Sequence, residues 1–371
     1  MKRVCGIIAE YNPFHNGHKH HIQVARKVSG AQDVVVVMSG NFVQRGEPAI
    51  VDKFVRTRMA LLGGADMVLE LPVGFSTASA EGFSFGAVYI LGKTGIVTDL
   101  CFGAETPNLQ GLQAIAQCLA NESEGFKTTL KANLAKGVNF PKARAQALKE
   151  ILPESENIIN TPNNILAIEY LKALAKLGLN IKPYPVARKN ANHHDTTLAG
   201  RFASATTLRK EILMGNLHNL KDFMPPMSMD LLTQEPFNQI DNFSTIFHYN
   251  VPGSPLEKHA EKHYKISHVI KATKTKNITH SALKRLALRV VLEVQTPPTP
   301  QYIRVLGFRR EKSFLMSYLE KNATLPVITN LKNAPPNLIG DELEASRLYW
   351  LALKPEGIRP RKELSAPMVI I

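Results

Sequence analysis

The chain has 371 residues, 44% hydrophobic and 20% charged, a balance that excludes a disordered or fibrous protein. No apolar run approaches the roughly 18–20 residues of a membrane span, the apolar stretch at the N-terminus is too short for a signal peptide, and three cysteines (Cys5, Cys101, Cys118) in apolar surroundings point to a reducing cytoplasm rather than a disulfide framework. The net charge of +14 favours polyanionic partners, nucleic acid first, and residues 251–371 hold +10 of it (20 Lys/Arg against 10 Asp/Glu).

The first half alternates strand and helix patterns. Arg3 to Ala9 reads as a strand and Gly17 to Val28 as a helix. Asp33 to Met38 is a β-branched run, the pattern of a strand buried on both faces. Residues 52–63 are helical and stop at Gly63-Gly64; Met67 to Leu71 is a third strand, stopped by Pro72. A helix over 79–92 and a strand over Thr98–Phe102, closed by Gly103, follow. Residues 108–150 read as a helical insertion. Asn163 to Leu177 is a helix, Ile181 to Val186 an edge strand marked by Pro183 and Pro185, and Ser204 to Leu213 a short helix capped by Ser204 or Thr206. Strands separated by helices of this length imply an α/β fold with a Rossmann-like parallel sheet and right-handed crossovers.

Beyond this the texture changes. Residues 222–256, rich in Met, Pro, Asn and Gln, read as a linker; residues 257–295 are basic and helical; residues 301–371 read as mixed but mainly helical. The predicted organisation is residues 1–220 as a nucleotide-binding domain and 221–371 as a mainly helical basic domain.

The chemistry concentrates after the first strand, in Glu10-Tyr11-Asn12-Pro13-Phe14-His15-Asn16-Gly17-His18. A loop that leaves the carboxyl end of a parallel strand and enters a helix is where open α/β sheets bind ligands. The helix N-terminus favours phosphate, and Gly17 lets the backbone approach it. His15 and His18 lie three apart, so one turn can aim both imidazoles at a phosphate and stabilise developing charge. His20 and His21 extend the cluster, but nothing near it completes a tetrahedral metal site, so phosphate binding is preferred to metal ligation. The His-x-Gly-His element resembles the signature of the nucleotidyltransferase and class I aminoacyl-tRNA synthetase superfamily, whose members attack the α-phosphate of ATP and release pyrophosphate.

A second element, Ala203-Ser204-Ala205-Thr206-Thr207-Leu208-Arg209, resembles that superfamily's Ile-Ser-Ser-Thr-x-Ile-Arg segment. Ser204 and Thr206 supply hydroxyls, and Arg209 a guanidinium fork for phosphate oxygens. Gly103 leaves room for adenine or ribose at the end of the fourth strand. Asn163 either caps a helix or bonds nucleotide, and Arg188 follows the fifth strand, with His193-His194-Asp195 downstream. The loop Ser39 to Pro48 is placed to line a second-substrate pocket, and Lys53 is either a carboxylate-binding cation or a solvated one.

Together these pieces resemble the bacterial tRNA(Met) cytidine acetate ligase family. The matching runs are Gly6 to His18, Ser39 to Pro48, Gly64 to Pro72, Pro162 to Leu166, Ser204-Ala205-Thr206 and Tyr302 to Phe308. Ala205, which departs from the wider superfamily, is the usual residue of this narrower one. The resemblance implies that ATP and acetate form acetyl-adenylate, and that the acetyl group passes to N4 of the wobble cytidine of elongator tRNA(Met). It also implies an ATP site at Ile8-Ala9-Glu10-Tyr11-Asn12-Pro13-Phe14-His15-Asn16-Gly17-His18-Lys19-His20-His21 with Gly103, Asn163 and Arg188, catalysis by His15, His18, Ser204, Thr206 and Arg209, and a cytoplasmic location. Mg²⁺ is the usual companion of ATP, though no residue declares itself as its ligand. Lys271, Lys274, Lys276, Lys284, Arg285 and Arg289 form the densest basic stretch for tRNA; Tyr264, Tyr302 and Phe308 are either base-stacking or core residues. Two alternatives stay open at this point: an adenylyltransferase of a small cofactor precursor, and a non-catalytic RNA-binding protein.

Overall fold

The computed structural model describes residues 2–188, 202–353 and 363–371. The chain begins with β1 (Val4–Ala9) and α1 (Asn16–Ser29), which stops at Gly30 in a left-handed conformation. β2 (Asp33–Ser39) leads into a small antiparallel hairpin, β3 (Phe42–Val43) and β4 (Glu47–Pro48), inside the loop predicted to line a pocket. α2 (Lys53–Leu62) starts where the Asp52 carboxylate accepts from the amides of Phe54 and Val55. β5 (Met67–Leu71), α3 (Val73–Ser76), α4 (Ala80–Lys93) and β6 (Asp99–Ala104) follow. The insertion folds as α5 (Leu109–Ala120), α6 (Glu124–Ala135) and α7 (Phe140–Ile151), before α8 (Pro162–Lys176), β7 (Lys182–Ala187) and α9 (Ala205–Leu213).

The stretch read as a linker is structured. It holds α10 (Pro226–Leu232) and α11 (Ser244–Asn250), and Phe243 and Phe247 are buried. α12 (Glu257–Ala260), α13 (Ile266–Thr273) and α14 (His280–Leu292) form the basic region. Then come β8 (Ile303–Phe308), α15 (Phe314–Asn322), β9 (Val327–Ile328), α16 (Pro336–Leu353) and β10 (Val369–Ile370). No helix among the described residues is long and apolar enough to cross a membrane.

One sheet runs in the order β10–β8–β5–β2–β1–β6–β7, with β9 also paired to β8. Strands β5, β2, β1, β6 and β7 are parallel, and β7 is an edge, as its prolines predict. β2 lies between β1 and β5. Its Val35 and Val37 pack on one face with Leu69, Leu100 and Ile168, while Val34, Val36 and Met38 pack on the other with Ile22, Met59 and Leu208. The strand order reverses at β1 and β6, so their carboxyl ends open a crevice at the switch point.

The last third of the chain is mixed and mainly helical, as read, but its strands join the same sheet. β8 pairs antiparallel with β5, and β10 and β9 pair parallel with β8. The predicted division near residue 220 is therefore not a division of the sheet. Of the three aromatics read as either base-stacking or core residues, Tyr302 and Phe308 are 4% and 8% exposed and belong to the core, whereas Tyr264 is exposed and stacks on His248.

A buried charge cluster ties these strands to the N-terminal half. Lys53 Nζ lies 2.6 Å from both Glu70 Oε1 and Glu363 Oε1, and Arg304 Nη1 lies 2.6 Å from Glu70 Oε2 and Glu363 Oε1. Glu342 accepts from the Val73 amide at 2.6 Å, and Ser346 donates to Glu363 at 2.7 Å. Lys53 is thus neither a substrate-binding cation nor a solvated one.

Candidate active site

A cavity of about 260 Å³ sits in the crevice at the switch point. Its floor is the carboxyl ends of β1, β6 and β7, through Ile8, Ala9, Gly103, Val186 and Ala187. One wall is the loop into α1, with Tyr11, Asn12, His15, Gly17, His18, His20 and His21. Opposite lie Asn163, Leu166 and Tyr170, on one face of α8, and the start of α9.

The two signature histidines are built into the end of α1. His15 is its N-cap: Nδ1 accepts from the Gly17 amide at 3.0 Å. His18 Nδ1 accepts from the His15 amide at 3.3 Å, closing a reciprocal capping box made of two imidazoles. With both Nδ1 atoms acting as acceptors, hydrogen bonding assigns the proton to Nε2 on each ring, leaving two Nε2–H donors. The rings stack at a centroid distance of 3.7 Å. Gly17 is required beside them, because a Cβ there would lie 2.8 Å from His15 Cε1.

Both rings are neutral. Burial, then Arg188 and Arg209, pull the His15 pKa from 6.5 to about 3. Burial, His15, His21 and Arg188 hold His18 well below its ordinary value, and burial with Arg188 takes His21 to about 4. This environment disfavours added positive charge and suits an anion.

The loop is held from behind by two arginines. Arg56, fully buried at the first turns of α2, donates to the carbonyls of Glu10 (2.8 Å), Ser39 (3.0 Å), Val51 (3.1 Å) and Gly40. It clamps the carboxyl ends of β1 and β2 together. Arg209 donates to the Asn12 carbonyl at 2.9 Å and pairs with Glu47 Oε2 at 3.1 Å. Asn12 Oδ1 also accepts from the Ile50 amide at 2.7 Å. In the cavity wall, the Tyr11 hydroxyl and the Asn12 amide nitrogen have no partner among the described residues. Such orphaned polar groups mark a place for a polar ligand.

A family model described as HIGH Nucleotidyl Transferase matches residues 1–363. The tRNA(Met) cytidine acetate ligase of Thermoanaerobacter sp. (strain X514) is 37% identical, over 96% of this chain and 96% of its own. That of Acetivibrio thermocellus is 36% identical over the full length of both. The crystal structure of Thermotoga maritima TmcAL in its apo form superposes with a TM-score of 0.92 at 32% identity, covering 100% of this chain and 99% of that one. The same protein bound with alpha-thio ATP superposes with a TM-score of 0.88. The chain belongs to the tRNA(Met) cytidine acetate ligase family.

Within that family frame, most of the expected ATP-site residues meet at one cavity. Ile8, Ala9, Glu10, Tyr11, Asn12, His15, Gly17, His18, His20, His21, Gly103, Asn163 and Arg188 line it, as do Ser204 and Thr206. Four of the run lie outside the lining. Phe14 is core, packed where a Cβ on Gly63 would strike it; Asn16 bonds the carbonyls of Asp222 and Phe223 at 2.9 Å; Pro13 and Lys19 complete the set. Arg209 is also outside the lining, engaged with Asn12, Glu47 and Thr206 rather than presented as a fork. Ser204 caps α9, accepting from the Thr207 amide at 3.1 Å. Asn163 donates to Glu105, whose carboxylate accepts from the Asn164 amide at 2.9 Å and so caps α8. His193, His194 and Asp195 lie outside the described residues. Among the described residues no three His, Cys, Asp or Glu side chains come together as a metal site.

The tip of the β3–β4 hairpin, Gln44 and Arg45, lines this same cavity rather than a separate second-substrate pocket. The aromatic wall of Phe83, Tyr170 and Phe202 was not anticipated. Asn163, Leu166 and Tyr170, at helical spacing, were the readable trace of part of it. The basic stretch divides in two. Lys284 pairs with Glu47, Arg285 donates to the Gln44 carbonyl at 3.5 Å and Arg289 to the Gly74 carbonyl at 3.2 Å, so three expected tRNA-binding cations engage the hairpin and α3. Lys271, Lys274 and Lys276 are exposed.

Proposed function

We propose that the protein is a tRNA(Met) cytidine acetate ligase with its ATP site in this cavity. The observation that carries the reading is the imidazole pair. His15 and His18 each spend Nδ1 on the backbone at the start of α1 and keep Nε2–H to donate, at the positive end of the helix dipole.

In the first half-reaction an acetate oxygen attacks the α-phosphorus of ATP, the bond to the β-phosphate oxygen breaks, and pyrophosphate leaves with acetyl-adenylate formed. His15 and His18 donate to the phosphate oxygens on which charge accumulates. The low-dielectric surroundings of the buried His15 ring strengthen its contact. Gly103 and the apolar wall of Leu166 and Tyr170 accept the nucleoside, while Arg188 and the Thr206 hydroxyl complete the polar side. In the second half-reaction the N4 amine of the wobble cytidine attacks the acetyl carbonyl carbon, AMP leaves, and N4 loses a proton. Arg209 acts through the loop, by holding the Asn12 carbonyl. Mg²⁺ would arrive on the phosphates of ATP and neutralise charge on them. Elongator tRNA(Met), ATP and acetate all meet in the cytoplasm, where we place the protein.

Acetate-dependent exchange of labelled pyrophosphate into ATP tests the first half-reaction without tRNA. Wild-type protein is expected to exchange, and His18→Ala to lower the rate on the order of 10²-fold. Exchange that ignores acetate but responds to a nucleotide-like phosphoester would instead identify an adenylyltransferase of a small precursor.

A further inference from the structure

A second cavity, of about 510 Å³, lies away from the active site, between the insertion and helices α4 and α8. Four cations line it: Lys127, Arg144, Lys172 and Lys176. Glu81 and Glu122 share it, and Glu169 sits behind Arg144 at 2.7 Å and Lys172 at 3.3 Å. Arg144 nonetheless keeps two buried groups, Nε and Nη2, with no acceptor among the described residues. Lys172, 6% exposed, is met by Glu81 at 2.7 Å, and that carboxylate is itself half-exposed and replaceable. Phe140, also in the lining, is 53% exposed at the start of α7.

Carboxylates stand at the cavity itself, where Glu124 pairs with Lys127 at 2.8 Å and Glu81 meets Lys172, but two neighbouring segments are one-sided. Residues 125–149 carry six Lys or Arg and no carboxylate. Residues 262–292 carry eight and none. The two segments are far apart in the chain yet touch: Asn139 Nδ2 donates to the Lys276 carbonyl at 3.4 Å. A basic face therefore passes from the insertion to the exposed Lys274–Ile278 loop. Cations beside an exposed ring are the components of a single-stranded nucleic-acid site, in which phosphates meet the charges and a base stacks on the aromatic.

We infer that this face docks the tRNA substrate: the cavity between the insertion, α4 and α8 takes a backbone phosphate, Phe140 stacks an unpaired base, and the strand continues over Lys276. The inference rests on the tRNA ligase reading above and assigns the substrate a surface that the nucleotide site does not supply.

The test uses the full chain with Phe140→Ala and with Lys127→Ala/Lys176→Ala, each checked by thermal melting. Binding of an elongator tRNA(Met) transcript is measured across a salt series, beside acetate-dependent pyrophosphate exchange without tRNA. The expected result is unchanged exchange, with tRNA affinity reduced about 10-fold by Phe140→Ala. The lysine pair should make the slope of log affinity against log salt shallower by about 2. Folded variants with wild-type affinity and slope would overturn the assignment. Failure of the wild type to exchange with acetate would sink the ligase reading instead, so the two failures are told apart.

Discussion

His15 and His18 cap a helix and present donors with the same rings, and the double duty has a measurable cost. Each ring is neutral in the fold because burial and nearby cations push its pKa down, His15 to about 3, whereas an unfolded histidine titrates near 6.5. Between those values the unfolded chain binds more protons than the fold, so stability falls as pH drops below about 6.5. His15→Asn keeps a good N-cap residue and removes one titrating ring. Its melting temperature should fall less than that of the wild type between pH 7 and pH 5; parallel curves would show that His15 is not the neutral, buried base described. The spacing of the pair was legible in the sequence because it is local. The roles of Arg56 and Arg209 were not: their partners are mainly backbone carbonyls of distant loops, which leave no pattern in side-chain type.

The β3–β4 hairpin is the element that joins the nucleotide cavity to the basic helix α14. Gly46 at its turn has φ +76°, and a Cβ there would collide with the backbone of Lys284 and Arg285. Glu47, one residue on, holds both Lys284 and Arg209. Gly46→Ala should therefore lift the hairpin off α14, costing about 1–3 kcal/mol in urea unfolding. Acetylation of tRNA should fall more than acetate-dependent exchange; equal losses would mean that the hairpin serves only the nucleotide. The parallel strands were readable from their β-branched runs, Asp33 to Met38 above all. This hairpin was not, because two-residue strands are too short to show alternation. Nor was β8: Ile303 to Phe308 is short and apolar, and only its distant partner β5 makes it a strand rather than a piece of helix.

At the scale of the molecule, the buried cluster of Lys53, Glu70, Arg304, Glu342 and Glu363 gathers residues from both ends of the chain. Two cations face three carboxylates. Burial, with Glu70 nearby, pushes the Glu342 carboxyl up to about 8, so it keeps its proton at neutral pH. The unfolded chain releases that proton near the ordinary 4.5, so this group costs stability as pH rises from about 4.5 to 8. Glu342→Gln retains an acceptor for the Val73 amide and removes the titration. Its stability relative to wild type in urea unfolding should improve from pH 5 to pH 8, and a pH-independent difference would place the excess charge elsewhere. The excess of +10 in the last third, obvious in the sequence, has proved to be divided between internal pairing and exposed surface.

The antiparallel pairing of β8 with β5 also sets an order of events during synthesis. β5 is complete once residue 71 has left the ribosome, but the strand that covers its second edge ends at residue 308. While residues 72–308 are being made, the apolar edge of the nascent sheet has no native partner, and an uncovered edge of this kind recruits other chains. The cavity at the switch point is thus encoded early and secured late: its supporting sheet closes only after the basic segments 125–149 and 262–292 have been made.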